Sequence, residues 1–218
     1  MARTSDPLPP RLSAPDLPAR LEDGPPLVRG GDFFQVRWAS VDAETDAAHA
    51  ALTECELMGA SAERLDLTGA TLVDVEVRDL RATTLSARAA RLRRVRITGG
   101  RIGTLDLADA EIDEVELRGV RIDYASLAAA RIADLMIADC TIGTLDLPQA
   151  IVARMAFADS RADDVDTRGV RAKDLDLRGL EAVSYLDAGS LRGTTLSSRQ
   201  VEYLAPALAV ALGIRVLD

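Results

Sequence analysis

The side chains that most often carry out catalysis are few in this sequence. His49 is the only histidine, and it falls next to a break in the repeat described below, so we expect a turn residue rather than a triad base or a metal ligand. The two cysteines, Cys55 and Cys140, fall at positions expected to be buried and roughly 19 Å apart, too far for a disulfide. Carboxylates are abundant, but nothing marks one pair over another. The sequence therefore predicts no enzyme activity, no catalytic residue, no cofactor and no metal site.

Composition narrows the classes of partner. The chain has 218 residues, a formal charge of −9 and a pI of about 4.7, which argues against direct binding to nucleic acid or to an anionic membrane. Lys173 is the only lysine, a bias typical of a GC-rich genome such as that of an actinobacterium. No apolar run reaches transmembrane length and the N-terminus has no secretory apolar core, so we expect a cytoplasmic protein.

An aliphatic side chain recurs at every fifth position through residues 101–160. A second, smaller apolar residue precedes each of these by two positions, as Ala110 precedes Ile112. Neither the 3.6-residue period of a helix nor the two-residue period of a strand keeps such positions on one face. A solenoid does, because each short stretch points two side chains inward before it turns. The central residues of this series are Ile102, Leu107, Ile112, Leu117, Ile122, Leu127, Ile132, Ile137, Ile142, Leu147, Val152 and Phe157.

Side-chain size repeats every twenty residues as well as every five. Six alanines form one such series: Ala50, Ala70, Ala90, Ala110, Ala130 and Ala150. Four five-residue units per coil predict a coil with four sides. The pattern resembles the pentapeptide repeat family over roughly residues 36–196, and the resemblance implies a right-handed four-sided β-helix of about seven coils. Glycines two places after the central residue, such as Gly59 and Gly119, are expected at corners that need positive φ.

The chain divides into three regions. Residues 1–31 are rich in proline and poor in large apolar residues, which predicts a disordered tail. Residues 32–196 form the β-helix. The five-residue spacing of its inward residues shifts by one residue near His49 and again after Ala182. Residues 197–218 form a capping helix and a short tail, because Ser197 or Ser198 can cap its start and Gly213 can stop it.

The C-terminal helix is the candidate for a homodimer contact. Its apolar face can cover the last coil, and in some members of the family this region forms a dimer contact. The candidate cap and dimer residues are Val201, Leu204, Leu208 and Leu212.

Two outward columns form the candidate interaction surface. The acidic column consists of Asp66, Asp106, Asp146 and Asp166, with Ser86 and Ser126 between them, and the arginine column consists of Arg81, Arg101, Arg121 and Arg161. Stacked like charges at about 5 Å repel by roughly 1 kcal/mol even in water, so we expect the two columns to neutralise each other. A solvated surface and a charged binding face both fit this pattern.

The resemblance supplies two hypotheses for function. The first is a non-catalytic protein-interaction module whose target the sequence does not identify. The alternative is a DNA mimic that modulates DNA gyrase or another topoisomerase, as the quinolone-resistance branch of the family does. The acidic charge has the sign that mimicry needs, but arginines interrupt it.

Overall fold

A parallel β-solenoid of about eight turns, followed by a single C-terminal helix, makes up the computed structural model, which describes residues 6–216. The solenoid expected from the five-residue spacing of aliphatic residues and from the family resemblance is therefore confirmed, with about one turn more than predicted. Residues 1–5 and 217–218 of the predicted regions lie outside the described range.

Two parallel sheets form the walls of the solenoid. The 11-stranded sheet contains β1 (Glu22–Asp23), β2 (Asp32–Phe34), β3 (Val36–Trp38), β5 (Ala51–Met58), β7 (Thr71–Arg78), β9 (Arg91–Thr98), β11 (Glu111–Arg118), β13 (Arg131–Ala138), β15 (Ile151–Ala158), β17 (Arg171–Asp176) and β19 (Thr194–Thr195). The 8-stranded sheet contains β4 (Glu44–Asp46), β6 (Ser61–Asp66), β8 (Arg81–Ser86), β10 (Arg101–Asp106), β12 (Arg121–Ser126), β14 (Thr141–Asp146), β16 (Ser160–Asp166) and β18 (Leu180–Tyr185).

The inward side chains stack in register along the axis. Ile102 pairs with Ile122 and Ile112 pairs with Ile132, so equivalent positions are twenty residues apart. The central aliphatic series and the alanine series are almost completely buried and belong to one continuous core. Because every coil contributes the same inward pattern, each residue packs on its own counterpart above and below.

The corners of the coil use left-handed backbone. Gly59 and Gly119 have φ of 67° and 65°, as predicted for turns of this kind. Gly179 does not adopt positive φ, but a Cβ there would lie 2.0 Å from the carbonyl oxygen of Phe157, so close backbone approach demands glycine instead. Non-glycine residues such as Asp79 and Ala89 occupy equivalent corners with φ of 53° and 52°.

The two register slips lie elsewhere than predicted. Trp38 pairs with Leu57, nineteen residues on, whereas Thr45 pairs with Leu65, twenty residues on. The first coil is therefore one residue shorter than the next, and the missing residue lies between Trp38 and Thr45 rather than near His49. At the other end Val165 still pairs with Tyr185, twenty residues on. The second slip therefore follows Tyr185, and the predicted inward residue Leu186 is exposed.

Residues 6–31 lie against the solenoid, which corrects the prediction of a disordered tail over that range. β1 adds to the edge of the 11-stranded sheet beside β3, and Leu27 packs on the core. The indole N–H of Trp38 donates to the carbonyl oxygen of Pro25 at 2.7 Å. Composition alone failed here because the segment buries little apolar surface of its own and is held by groups on the solenoid.

The C-terminal helix α1 (Ser198–Ala211) begins and ends as predicted. Ser197 is its N-cap and forms a capping box with Gln200, and Gly213, with φ of 74°, follows its end. The amide of Gln200 also donates to the carbonyl oxygens of Leu177 and Leu180 at 2.7 and 2.8 Å. These bonds fix the helix on the last coil by satisfying carbonyl groups at the end of the solenoid.

Candidate interaction surfaces

The acidic column lies at the ends of the strands of the 8-stranded sheet and mainly supports turns. Asp66, Asp106 and Asp166 each accept a hydrogen bond from the backbone N–H two residues later, at 2.9 to 3.0 Å. This is the Asx-turn arrangement, in which a short acidic side chain replaces a backbone acceptor. The carboxylates thus point back at the corner rather than presenting a free row of charge.

Asp146 is the exception in this column. The residue two places later is Pro148, which has no N–H to donate. The carboxylate of Asp146 instead accepts a hydrogen bond from the hydroxyl of Tyr124 at 2.5 Å. This hydrogen bond is the main reason that the pKa of Tyr124 is raised.

The arginine column lies near the N-terminal ends of strands in the same sheet, away from the acidic column at the C-terminal ends, so it does not neutralise the acidic column as expected. Arg101 and Arg121 both contact Asp123, at 3.0 and 3.7 Å. Asp66, Asp106 and Asp166 are compensated locally, by Arg64, Arg88 and Arg168 respectively. Among the described residues, Arg81 and Arg161 have no ion-pair partner and are exposed, so this column keeps free positive charge.

A third column carries the most deeply buried ion pairs of the surface. Arg94 binds the carboxylate of Asp74 through Nε and Nη2, and Arg154 binds Asp134 in the same way across one coil. The bond from Arg94 lowers the pKa of Asp74, against the effect of burial. Burial is the largest single influence on the pKa of Asp134 and acts to raise it. The hydrogen bonds and charges of Arg154 and Arg11 together outweigh burial, so the net effect is a lowered pKa.

Residues 6–20, called the strap here, lie along this third column. The backbone N–H groups of Leu8, Arg11 and Asp16 donate to Asp174, Asp134 and Asp74 at 3.1, 2.7 and 2.9 Å. The strap face is defined by Asp74, Arg94, Glu114, Asp134, Arg154 and Asp174. The strap therefore covers the carboxylates of Asp74, Asp134 and Asp174.

An open groove crosses the neighbouring side of the 11-stranded sheet. This outer groove is lined by residues 71–73, 91–93, 111–113, 131–133, 151 and 153. Ile151 is exposed in it, and Ala133 and Ala153 are partly exposed between the charged side chains. Arg91 pairs with Glu111 at 3.2 Å, whereas Arg93 and Arg131 form no ion pair with any residue in the range 6–216. Sequence reasoning missed this groove because equivalent positions carry an apolar side chain in one coil and a charged side chain in the next, as at Val73, Arg93 and Asp113.

The predicted helix face is divided between the solenoid and solvent. Leu204 is 5% exposed and Leu208 packs on the core, so these two residues form the cap. Val201 and Leu212 are exposed, Leu212 by 76%, which differs from their predicted role as cap residues. Val210 and Ile214 are exposed nearby.

Within residues 6–216 no group of three or more His, Cys, Asp and Glu side chains is placed to hold a metal ion. No helix among the described residues is long and apolar enough to cross a membrane. Cys55 and Cys140 are free and buried, and burial raises the pKa of both thiols.

No family model matches the sequence, and no curated protein matches it at a significant level. Among solved structures, two trypsin-treated variants of QnrB1, a plasmid-mediated fluoroquinolone resistance protein, are similar to this chain. One is 15% identical with a TM-score of 0.28 and covers 88% of this chain and 93% of its own. The other is 13% identical with a TM-score of 0.33 and covers 86% and 100%. Similarity at this level carries no functional inference.

Proposed function

We propose that the protein is a non-catalytic binding rod and that its outer groove holds a segment of a partner protein carrying apolar and acidic side chains. The observation that carries this proposal is that the exposed Ile151 and the partly exposed Ala133 and Ala153 lie in one groove with two arginines that form no ion pair with a described residue. Protein interfaces combine an apolar centre with arginine. Arg93 and Arg131 lie opposite Asp113 and Glu111 in the strand register but form no ion pair with them, so both guanidinium groups are open to acidic groups of a partner.

The length of the groove fits a segment of polypeptide better than a small molecule. It crosses five coils, which at about 4.8 Å between strands corresponds to roughly 19 Å from the first to the last. Its wall is a rigid sheet in which neighbouring strands pair twenty residues apart, so the side chains keep fixed positions. The arginine column, with Arg81 and Arg161 free, is a second contact surface on another side of the same rod.

A photocrosslinking residue at position 133 tests this proposal in cells that express the chain. A benzoylphenylalanine replacing Ala133 lies in the outer groove, whereas the same residue replacing Ala128 lies on a different side, in the series that includes Arg88 and Arg168. We expect one discrete crosslinked protein from position 133 and none from position 128. Equal crosslinking from the two positions, or none from either, would contradict the proposal.

The alternative, a DNA-mimicking modulator of DNA gyrase, requires an open row of acidic groups. Here the acidic column is engaged in turns and the acids of the strap face are covered, so we expect weak or absent inhibition of gyrase supercoiling at micromolar protein. Potent inhibition that is lost when Asp106 and Asp146 become asparagine would favour the alternative. Inhibition unaffected by these changes would point to the shape of the rod.

The homodimer is proposed through the exposed side of α1. Val201 and Leu212, with Val210 and Ile214, leave an apolar surface beside the capped end that a two-fold related copy can cover. Sedimentation of the chain and of a Val201→Asp, Leu212→Asp variant measures this. A dimer that becomes a monomer on substitution supports the contact, and a monomeric parent chain excludes it.

We also propose a cytoplasmic location, which the two unpaired thiols support because a reducing compartment keeps cysteines free.

A further inference from the structure

The strap meets the solenoid through a repeated backbone pattern. Each of its three donors directly follows a proline: Leu8 follows Pro7, Arg11 follows Pro10 and Asp16 follows Pro15. Proline fixes φ near −65° and favours extended chain, so each following N–H is presented at low entropic cost. The acceptors are carboxylates, which make stronger hydrogen bonds than neutral groups do.

The spacing of the donors matches the spacing of the coils. Leu8 and Arg11 bind Asp174 and Asp134, which are two coils apart. Two coils span about 9.6 Å, and three residues of polyproline II chain span about 9.3 Å. Arg11 and Asp16 bind acids three coils apart, where about 14.4 Å of solenoid faces about 15.5 Å of chain.

The strap is held without entering the core. None of residues 6–20 is buried, whereas Leu27, beyond the strap, packs on the core and β1 pairs with β3. Two of the three carboxylates under it, those of Asp74 and Asp134, are positioned independently of it, since Arg94 and Arg154 each bind one of them through two nitrogens. The binding surface is thus preformed, and its occupant is attached by exchangeable bonds.

We propose that the strap face is a peptide-binding site for extended, proline-rich segments in which residues following proline donate their N–H groups, and that residues 6–20 are its exchangeable resident. Three of the contacts are made by backbone N–H groups, and the one side-chain ion pair, between Asp6 and Arg178 at 3.5 Å, is exposed to solvent, so recognition depends on donor spacing more than on side-chain identity. A partner protein with a segment of the same spacing replaces the strap on the rod. This site borders the outer groove, because its residues directly follow those of the groove in the same strands, but the two share no lining residue.

A full-length variant with the strap released tests the site. Leu8→Pro, Arg11→Pro and Asp16→Pro remove the three donors, leave the chain extended and do not change the strap face. A fluorescent synthetic peptide of residues 6–20 is titrated against this variant and against the parent chain, and anisotropy reports binding. We expect binding at least ten-fold tighter to the variant, because the parent's own strap competes for the site.

The same peptide with proline at the three donor positions is the matched control and should not bind. Absence of binding to the variant, or equal binding of the two peptides, would overturn the proposal. A parent chain that sediments as a dimer and becomes a monomer in the variant would show that the occupant belongs to a second copy, which also overturns it. If the triple variant does not fold, Arg11→Pro alone removes the shortest of the three bonds and gives the same comparison.

Discussion

The replacement of Arg154 by alanine tests whether the strap face depends on buried charge pairs. The side chain of Asp134 is 4% exposed, and its carboxylate accepts hydrogen bonds from Nε of Arg154 at 2.6 Å and from the N–H of Arg11 at 2.7 Å. Removing one partner of a buried pair costs about 3–5 kcal/mol, because the remaining charge stays buried without compensation. Arg154 is 21% exposed and the bond from Arg11 remains, so we expect a loss of roughly 2–3 kcal/mol.

Arg91→Ala is the matched control on the same sheet. Its pair with Glu111 also joins neighbouring coils, but the two side chains are 72% and 58% exposed. A pair this exposed contributes less than about 1 kcal/mol. Urea unfolding followed by far-UV circular dichroism compares the two variants with the parent chain. Equal midpoints for Arg154→Ala and Arg91→Ala would refute the reasoning that burial of Asp134 gives its pair more weight.

Three further predictions concern the core, the turns and pH. Ala110→Leu overpacks the buried alanine series and should cost about 1–3 kcal/mol, whereas outward Glu111→Leu should cost much less, and similar urea midpoints would show that the facing is wrong. Asp106→Ala leaves a turn N–H without its acceptor and should cost up to about 1 kcal/mol more than Asp146→Ala, which removes only an exposed bond from Tyr124; urea unfolding measures both, and equal losses would contradict the turn role. The hydrogen bond from its arginine neighbour lowers the pKa of Asp166 below its ordinary 3.8, so its stabilisation is present above that pH and is lost as pH falls through the lower folded-state value. Unfolding at about pH 2.5 and at neutral pH should show this loss, and Asp166→Asn should reduce it.

The periodic part of the fold could be predicted from sequence because each inward position is reinforced by its counterparts in other coils. The slip in the first coil could not be placed, since the alanines Ala43 and Ala48 continue the five-residue spacing from Trp38 as well as the inward residues Thr45 and Ala47 do. Ala43 is in fact exposed and Thr45 is buried, and a small side chain gives little information about facing.

The surfaces were harder to predict than the core. The role of Asp106 in a turn had a signal, an acid two residues before a corner, but the column pattern predicts an outward charge neutralised by the arginine column instead. The position of the strap had none, because Arg11 and Asp134 are 123 residues apart in sequence and meet only through the coil geometry. Left-handed corners at Ala89 and similar residues also carry no local signal, since alanine gains nothing from that conformation.

Binding of the partner captured from position 133 tests the central claim most directly. The purified partner is titrated against the parent chain, Ala133→Glu and Ala128→Glu. Both positions accept charge in other coils, at Asp113 and Arg93 for the first and at Arg88 and Arg168 for the second, so both variants should fold. The outer groove as the binding site predicts at least ten-fold weaker binding for Ala133→Glu and unchanged binding for Ala128→Glu. Equal affinity of all three chains would contradict it.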